Sequence, residues 1–396
     1  LTKELNSAIN PNKSAELKAE LASERDLEKR RRLYDEYLRQ VAYTNDLREE
    51  KLERIKELSQ KLGFQSYLDL YEKLNNINTK ALQEQVQQFL EATEKVYTVN
   101  LQQRVRSELK LSTEELERAD IDYFLNIRDF DHLFPGEGLA SAYRETLENL
   151  GIKLFKQKNL FFEVVSSKKT KNFFSPIRIP EEIRIGLKSV GGLLNYEESF
   201  YMLGKAEHHA FISSNLRPEF KYTGDQGLVK FSGFLFSSLV TDPNWLEYMT
   251  NSQGSNQLQL LSTLRKLAIL RHQAAKFCYE IALYGASSFS SLAMTYAELM
   301  SETTKFRHQK DDYLFDQSGL DSNNYIRAVL FEAALRDYLM TRYGHRWWKN
   351  IKAGNFLKEI WNTGYFYDLE ELSKQIGLGS LSIDPLESQV LSILKS

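Results

Sequence analysis

Apolar residues recur along most of this chain with a helical period. From Asp46 onward, Leu47, Ile55, Leu58 and Leu62 fall on one face and Gly63 follows where a helix end favours glycine, which predicts a helix with both ends marked. Residues 80–109 repeat the pattern through Leu82, Val86, Phe89, Leu90, Val96 and Tyr97. Ser112 followed by Glu115 has the form of a capping box, a helix start that satisfies two backbone N–H groups at once. Only 7 prolines interrupt the 396 residues, so long helices are easily accommodated. The period changes between about 158 and 190. There N-L-F-F-E-V-V-S-S and I-R-I-P-E-E-I-R-I-G-L-K carry the β-branched and alternating residues of short strands. The predicted class is all-α with a small β element.

Domain boundaries are faint. The best hinge is Phe134-Pro135-Gly136-Glu137-Gly138, which follows the acidic residues Asp129 and Asp131 and would divide the chain into 1–135 and 136–396, or mark a turn in one continuous domain. Gly136-Glu137-Gly138 lacks the Gly-Lys-Ser/Thr ending and the preceding strand of a phosphate loop, and reads as a turn and helix start. Residues 251–256 and 317–324 read as loops.

Composition removes several function classes. With 42% hydrophobic and 27% charged residues, the chain can bury a large core. A net charge of −2 gives no basic field for nucleic acid. The run Lys29-Arg30-Arg31-Arg32 is flanked at helical spacing by Glu24, Asp26, Glu28, Asp35 and Glu36, so it reads as a solvated, salt-bridged helix face. The single cysteine, Cys278, excludes an internal disulfide and a cysteine-cluster metal site. No run of 18 apolar residues predicts a membrane span. A start at Leu1 without methionine reads as a trimmed start, of which a removed signal peptide is one form. No G-x-S-x-G elbow supports a serine hydrolase.

The candidate chemistry lies at 201–211, Y-M-L-G-K-A-E-H-H-A-F. In a zinc helix of the form H-E-x-x-H, two His one turn apart face a single ion and the Glu polarises the metal-bound water. Here four residues before His208 stands Gly204, and four before His209 stands Lys205; the forward positions are Ile212 and Ser213. No register supplies the pair. Glu207, His208 and His209 are consecutive and fan out by about 100° per residue on a helix, so they do not converge on one ion.

The segments around this helix carry a resemblance. F-F-S-P-I-R-I-P-E-E-I-R-I-G-L-K-S-V-G-G-L-L-N-Y (173–196), the Gly204–Phe211 stretch, G-D-Q-G-L-V-K-F-S-G-F-L-F-S-S-L-V-T-D-P-N-W-L (224–246), the stretch 321–348 and F-L-K-E-I-W-N-T-G (356–364) together resemble the helical oligopeptidases of the oligoendopeptidase F and thimet oligopeptidase type. The resemblance covers most of residues 30–392 in pattern. It implies an elongated helical fold with a central groove between two halves, and a strand on the groove wall that takes up peptide by backbone pairing. It also implies a degenerate zinc site. Gly204 stands for the first ligand, Lys205 for the general base and Lys230 for the third ligand, a Glu in that family; His208 alone matches a metal ligand. Tyr325 matches a tyrosine that stabilises the oxyanion, and would equally serve as a packed helix aromatic.

The reading is therefore a catalytically inactive pseudo-peptidase that binds a peptide or protein, with an active paralogous peptidase as one partner, no cofactor and no nucleic acid. In it, Lys205 or Lys230 places an ammonium where the metal would sit and pairs with Glu207 or another carboxylate; the alternative leaves both lysines in solvent. A second reading is an active zinc peptidase with ligands drawn from Glu207, His208, His209 and Asp225 or His272. A third is a scaffold without a groove ligand. His132, His272 and His308 are scattered singly and read as ordinary histidines, and Trp347 and Trp348 as core anchors.

Overall fold

The computed structural model describes residues 11–165, 172–250, 256–286, 288–314 and 319–395. The chain divides into two compact units. The first runs to Asn126 and resumes over Leu264–Asn323; the second comprises Ile127–Thr263 and Asn324–Leu394. The hinge proposed at Phe134–Gly138 lies inside the second unit, where Gly136–Gly138 forms a short 3-10 turn leading into a helix. Of the two expected loops, 251–255 and 317–318 lie outside the described residues.

The first unit opens with helices α1 (Pro11–Leu21), α2 (Leu27–Ala42), α3 (Asn45–Lys61), α4 (Tyr67–Asn75), α5 (Thr79–Glu108) and α6 (Arg118–Phe124). α5 fulfils the expected pattern, with Leu82, Val86, Phe89 and Tyr97 buried. The capping box at Ser112 and Glu115 is formed, over a short 3-10 turn. Gly63 follows α3 with φ +88°, the left-handed conformation that glycine adopts without strain. The buried face of α3 is not the one expected. Leu52 and Ser59 point inward, two turns apart, while Leu58 and Leu62 are exposed. The basic run is also corrected at one position. Lys29 pairs in solvent with Glu20 and Glu24, but Arg30 is 1% exposed and bonds Asp120 through Nη2 at 2.7 Å and Nε at 2.8 Å. A guanidinium so buried requires that carboxylate.

The second unit holds α7 (Leu139–Asn149) and the expected β element: β1 (Leu160–Val165), β2 (Phe173–Arg178) and β3 (Glu182–Lys188). β3 is central, parallel to β1 and antiparallel to β2. Its Ile183, Ile185 and Leu187 are buried, alternating with exposed Arg184. That alternation is what a strand with one face on a helix layer requires. The helix beneath is α8 (Leu193–Ala210), which carries the candidate residues Gly204, Lys205, Glu207, His208 and His209. There follow α9 (Glu219–Tyr222), α10 (Gly227–Leu239) and α11 (Pro243–Thr250). α12 (Asn256–Gly285) passes from the second unit into the first, which also contains α13 (Ala293–Thr304). α14 (Asp321–Tyr343) returns to the second unit, completed by α15 (Ile351–Asn362), α16 (Leu369–Gln375) and α17 (Asp384–Leu394). The second unit's core joins β3, α8, α10 and α15 through Ile185, Phe200, Leu203, Phe231, Phe236 and Trp361, and includes Trp347 and Trp348 as expected. No helix among the described residues is long and apolar enough to cross a membrane.

Candidate functional site

α8 places Gly204, Lys205, Glu207, His208 and His209 on its last two turns, and it packs along α10. At their closest approach two glycines face each other's helix. A Cβ at Gly204 would stand 2.1 Å from the Ser232 carbonyl oxygen and 3.0 Å from Gly233 Cα. A Cβ at Gly233 would stand 2.6 Å from the Tyr201 ring and 2.9 Å from the Tyr201 carbonyl oxygen. Only residues without side chains fit such an approach of two backbones.

His208 is buried on the same side of α8. Its Nδ1 is 3.1 Å from Ser232 Oγ, and that hydroxyl accepts a hydrogen bond from Trp361 Nε1 at 3.0 Å. One serine thus links α8, α10 and α15. The Nε2 atom of His208 is buried without a hydrogen bond. Burial, and secondarily the neighbouring His209, holds the His208 pKa well below its ordinary value, so the ring is neutral. His209 donates Nδ1–H to the Lys205 carbonyl oxygen at 2.8 Å and offers Nε2 to the Tyr365 hydroxyl at 3.5 Å. Its ring lies 5.1 Å from Phe174 of β2, and burial lowers its pKa to about 4.

Glu207 faces elsewhere. It is fully buried, accepting from Tyr143 of α7 at 2.7 Å on Oε1 and from Gln157 at 2.7 Å on Oε2. Burial outweighs these hydrogen bonds and the more distant Lys358 charge, and lifts its pKa to about 7. The expected pairing of a groove lysine with Glu207 is therefore replaced by two neutral donors. Lys205 is half-buried, its ammonium 5.0 Å from the Phe174 ring centre and 5.7 Å from that of Tyr201, one turn back on α8. Lys230 is half-buried on α10, one turn before Phe234. Phe234 packs on Tyr201 at 5.2 Å and, edge-on, against Tyr325 at 4.9 Å. Tyr325 therefore has the packing expected of a helix aromatic.

The other candidate ligands are spent separately. Asp225 accepts from the backbone N–H groups of Gly227 at 2.8 Å and Leu369 at 3.0 Å, and pairs with buried Arg327 at 2.7 Å. His272 lies in the first unit, its ring 6.0 Å from that of His308. His132 is exposed, with Nδ1 bonded to the Asp129 carbonyl oxygen. Among the described residues, no three His, Cys, Asp or Glu side chains are grouped to hold a metal ion. A zinc ion does not fit the residues in register with a zinc helix. His208 presents a bare Nε2, as a ligand would, but in the register that the resemblance implies Gly204 faces the α10 backbone and positions 205 and 230 hold lysines, which leaves one zinc donor.

Ser232, Trp361, Tyr143, Gln157 and Tyr365 organise this region and were not singled out from sequence. Ser232 alone left a signal, as the lone hydroxyl in the otherwise apolar run 231–236.

The fold is that of largely helical metallopeptidases. PZ peptidase A with inhibitor 2 superposes with TM-score 0.67 at 15% identity, covering 96% of this chain and 70% of that one. An M32 carboxypeptidase from Deinococcus radiodurans R1 gives 0.62 at 12% identity, covering 100% and 80%. A Bacillus anthracis str. Ames protein assigned to oligoendopeptidase F gives 0.64 at 13%, covering 96% and 67%. No protein-family profile matches the sequence, and no curated protein matches it. The likeness expected from segments 173–246 and 321–364 therefore holds for the fold, and extends to carboxypeptidases.

Proposed function

We propose that this chain is a non-catalytic member of the metallopeptidase fold that binds a peptide without a metal ion. The observation that carries the reading is the donor set in register with a zinc helix. His208 is its one ligand-type side chain, the general-base position holds a lysine whose ammonium rests on Phe174 and Tyr201, and a second lysine takes the third-ligand position. A single imidazole holds Zn²⁺ weakly, and ammonium groups at close range repel it by several kcal/mol.

Peptide binding is supported by β2. It lies at the edge of the sheet, with Phe173 and Ile177 exposed, and it packs on the helix that carries His208. An edge strand offers unpaired N–H and C=O groups to an extended chain, a mode of recognition that needs no metal. The test is fluorescence anisotropy with labelled peptides of about ten residues, followed by mass spectrometry of the bound material. Saturable binding of intact peptide is expected. Chelator-sensitive cleavage would establish an active peptidase instead, and absence of binding across a diverse peptide set would leave a scaffold.

A further inference from the structure

We infer that the metal position is closed by the main chain, and not simply stripped of its ligands. The inference rests on the register just used, in which Gly204 stands one turn before His208 at the first-ligand position. A Cβ there would lie well over an ångström inside ordinary contact with the Ser232 carbonyl oxygen. The atom in the way belongs to the α10 backbone, so no rotamer change relieves the clash. Relief requires α8 and α10 to separate.

Three features oppose that separation. Gly233 makes the reciprocal close approach to Tyr201, so the crossing is tight on both sides. Ser232 Oγ holds His208 Nδ1 at 3.1 Å and Trp361 Nε1 at 3.0 Å, tying the crossing to α15. Phe231, Phe236 and Trp361 are fully buried around it. His208 is thereby assigned a structural role: its Nδ1 completes the Ser232 link, where a zinc ligand would need partners at the positions now taken by Gly204 and Lys230. Restoring the lost residue types therefore does not restore a site. A histidine at position 204 has no space in which to direct its ring at an ion shared with His208.

The test is the triple variant G204H/K205E/K230E, exposed to Zn²⁺ alone and then desalted, with bound zinc measured by elemental analysis and the thermal midpoint by scanning calorimetry. The expected result is no stoichiometric zinc and a midpoint lower by roughly 5 °C or more. One zinc per chain with the midpoint at or above that of the unaltered protein would overturn the inference. Should the triple variant fail to fold, G204A decides, because it adds the clashing Cβ and nothing else. A lowered midpoint with altered tryptophan emission supports closure; an unchanged midpoint and spectrum overturn it. These outcomes are separable from those of the functional reading. Zinc or cleavage in the unaltered protein would refute the non-catalytic reading while leaving Gly204 without room, and a zinc-loaded triple variant would refute closure while leaving the natural chain without its ligands.

Discussion

Raising the pH from 4.5 to 7 is expected to remove on the order of 3 kcal/mol of stability from the second unit through Glu207 alone. The folded carboxyl titrates near 7 because it is fully buried, whereas in the unfolded chain it titrates near its ordinary 4.5. Between those values the folded state retains a proton that the unfolded state has released. Protonation therefore favours folding: the contribution is fully present below pH 4.5, declines as pH rises, and is gone above about 7. Glu207→Gln mimics the protonated form. Its amide oxygen still accepts from Tyr143, and its N–H can be met by Gln157, whose own amide oxygen is buried without a partner. The variant should show a flat pH profile over this window and match or exceed the unaltered protein in stability at pH 8. Urea denaturation of both proteins from pH 4.5 to 8 checks this; parallel profiles would mean that Glu207 ionises normally.

The second large effect belongs to Trp361. It is fully buried, stacks on Phe211 at 5.7 Å and donates its indole N–H to Ser232. Trp361→Ala should cost about 3–5 kcal/mol, the usual range for deleting a buried aromatic side chain. Trp361→Phe keeps much of the ring volume and loses the hydrogen bond, and should cost roughly 1–3 kcal/mol. The two variants separate packing from the polar link. Equal losses in chemical denaturation would show that the Ser232 bond dominates, and negligible loss in Trp361→Phe would show that His208 and Ser232 hold the crossing unaided.

Much of this architecture was legible in the sequence because it depends on local pattern. The 3.6-residue period over 80–109 gave α5, and the alternation around Ile183, Ile185 and Leu187 gave the central strand. Asp46 to Gly63 mark both ends of a helix, yet the face it buries carries Leu52 and Ser59, because which side of a helix is covered depends on neighbours far away in sequence. Arg30 departs from the expected solvated face for the same reason: its partner Asp120 lies 90 positions on. The absence of an i, i+4 His pair around Gly204 and Lys205 was readable, since that spacing is local. What lies opposite them was not. That Gly204 meets Ser232 and Gly233, and that Glu207 turns to Tyr143 and Gln157, are properties of helix and sheet packing that no spacing within 201–211 records.

The claim that this fold works without a metal ion is tested most directly by elemental analysis of the purified protein, repeated after addition of Zn²⁺ with desalting and after a chelator wash. The account predicts zinc far below one ion per chain in all three preparations. Near-stoichiometric zinc that survives desalting would contradict it and would place a metal site on donors other than those in register with the zinc helix.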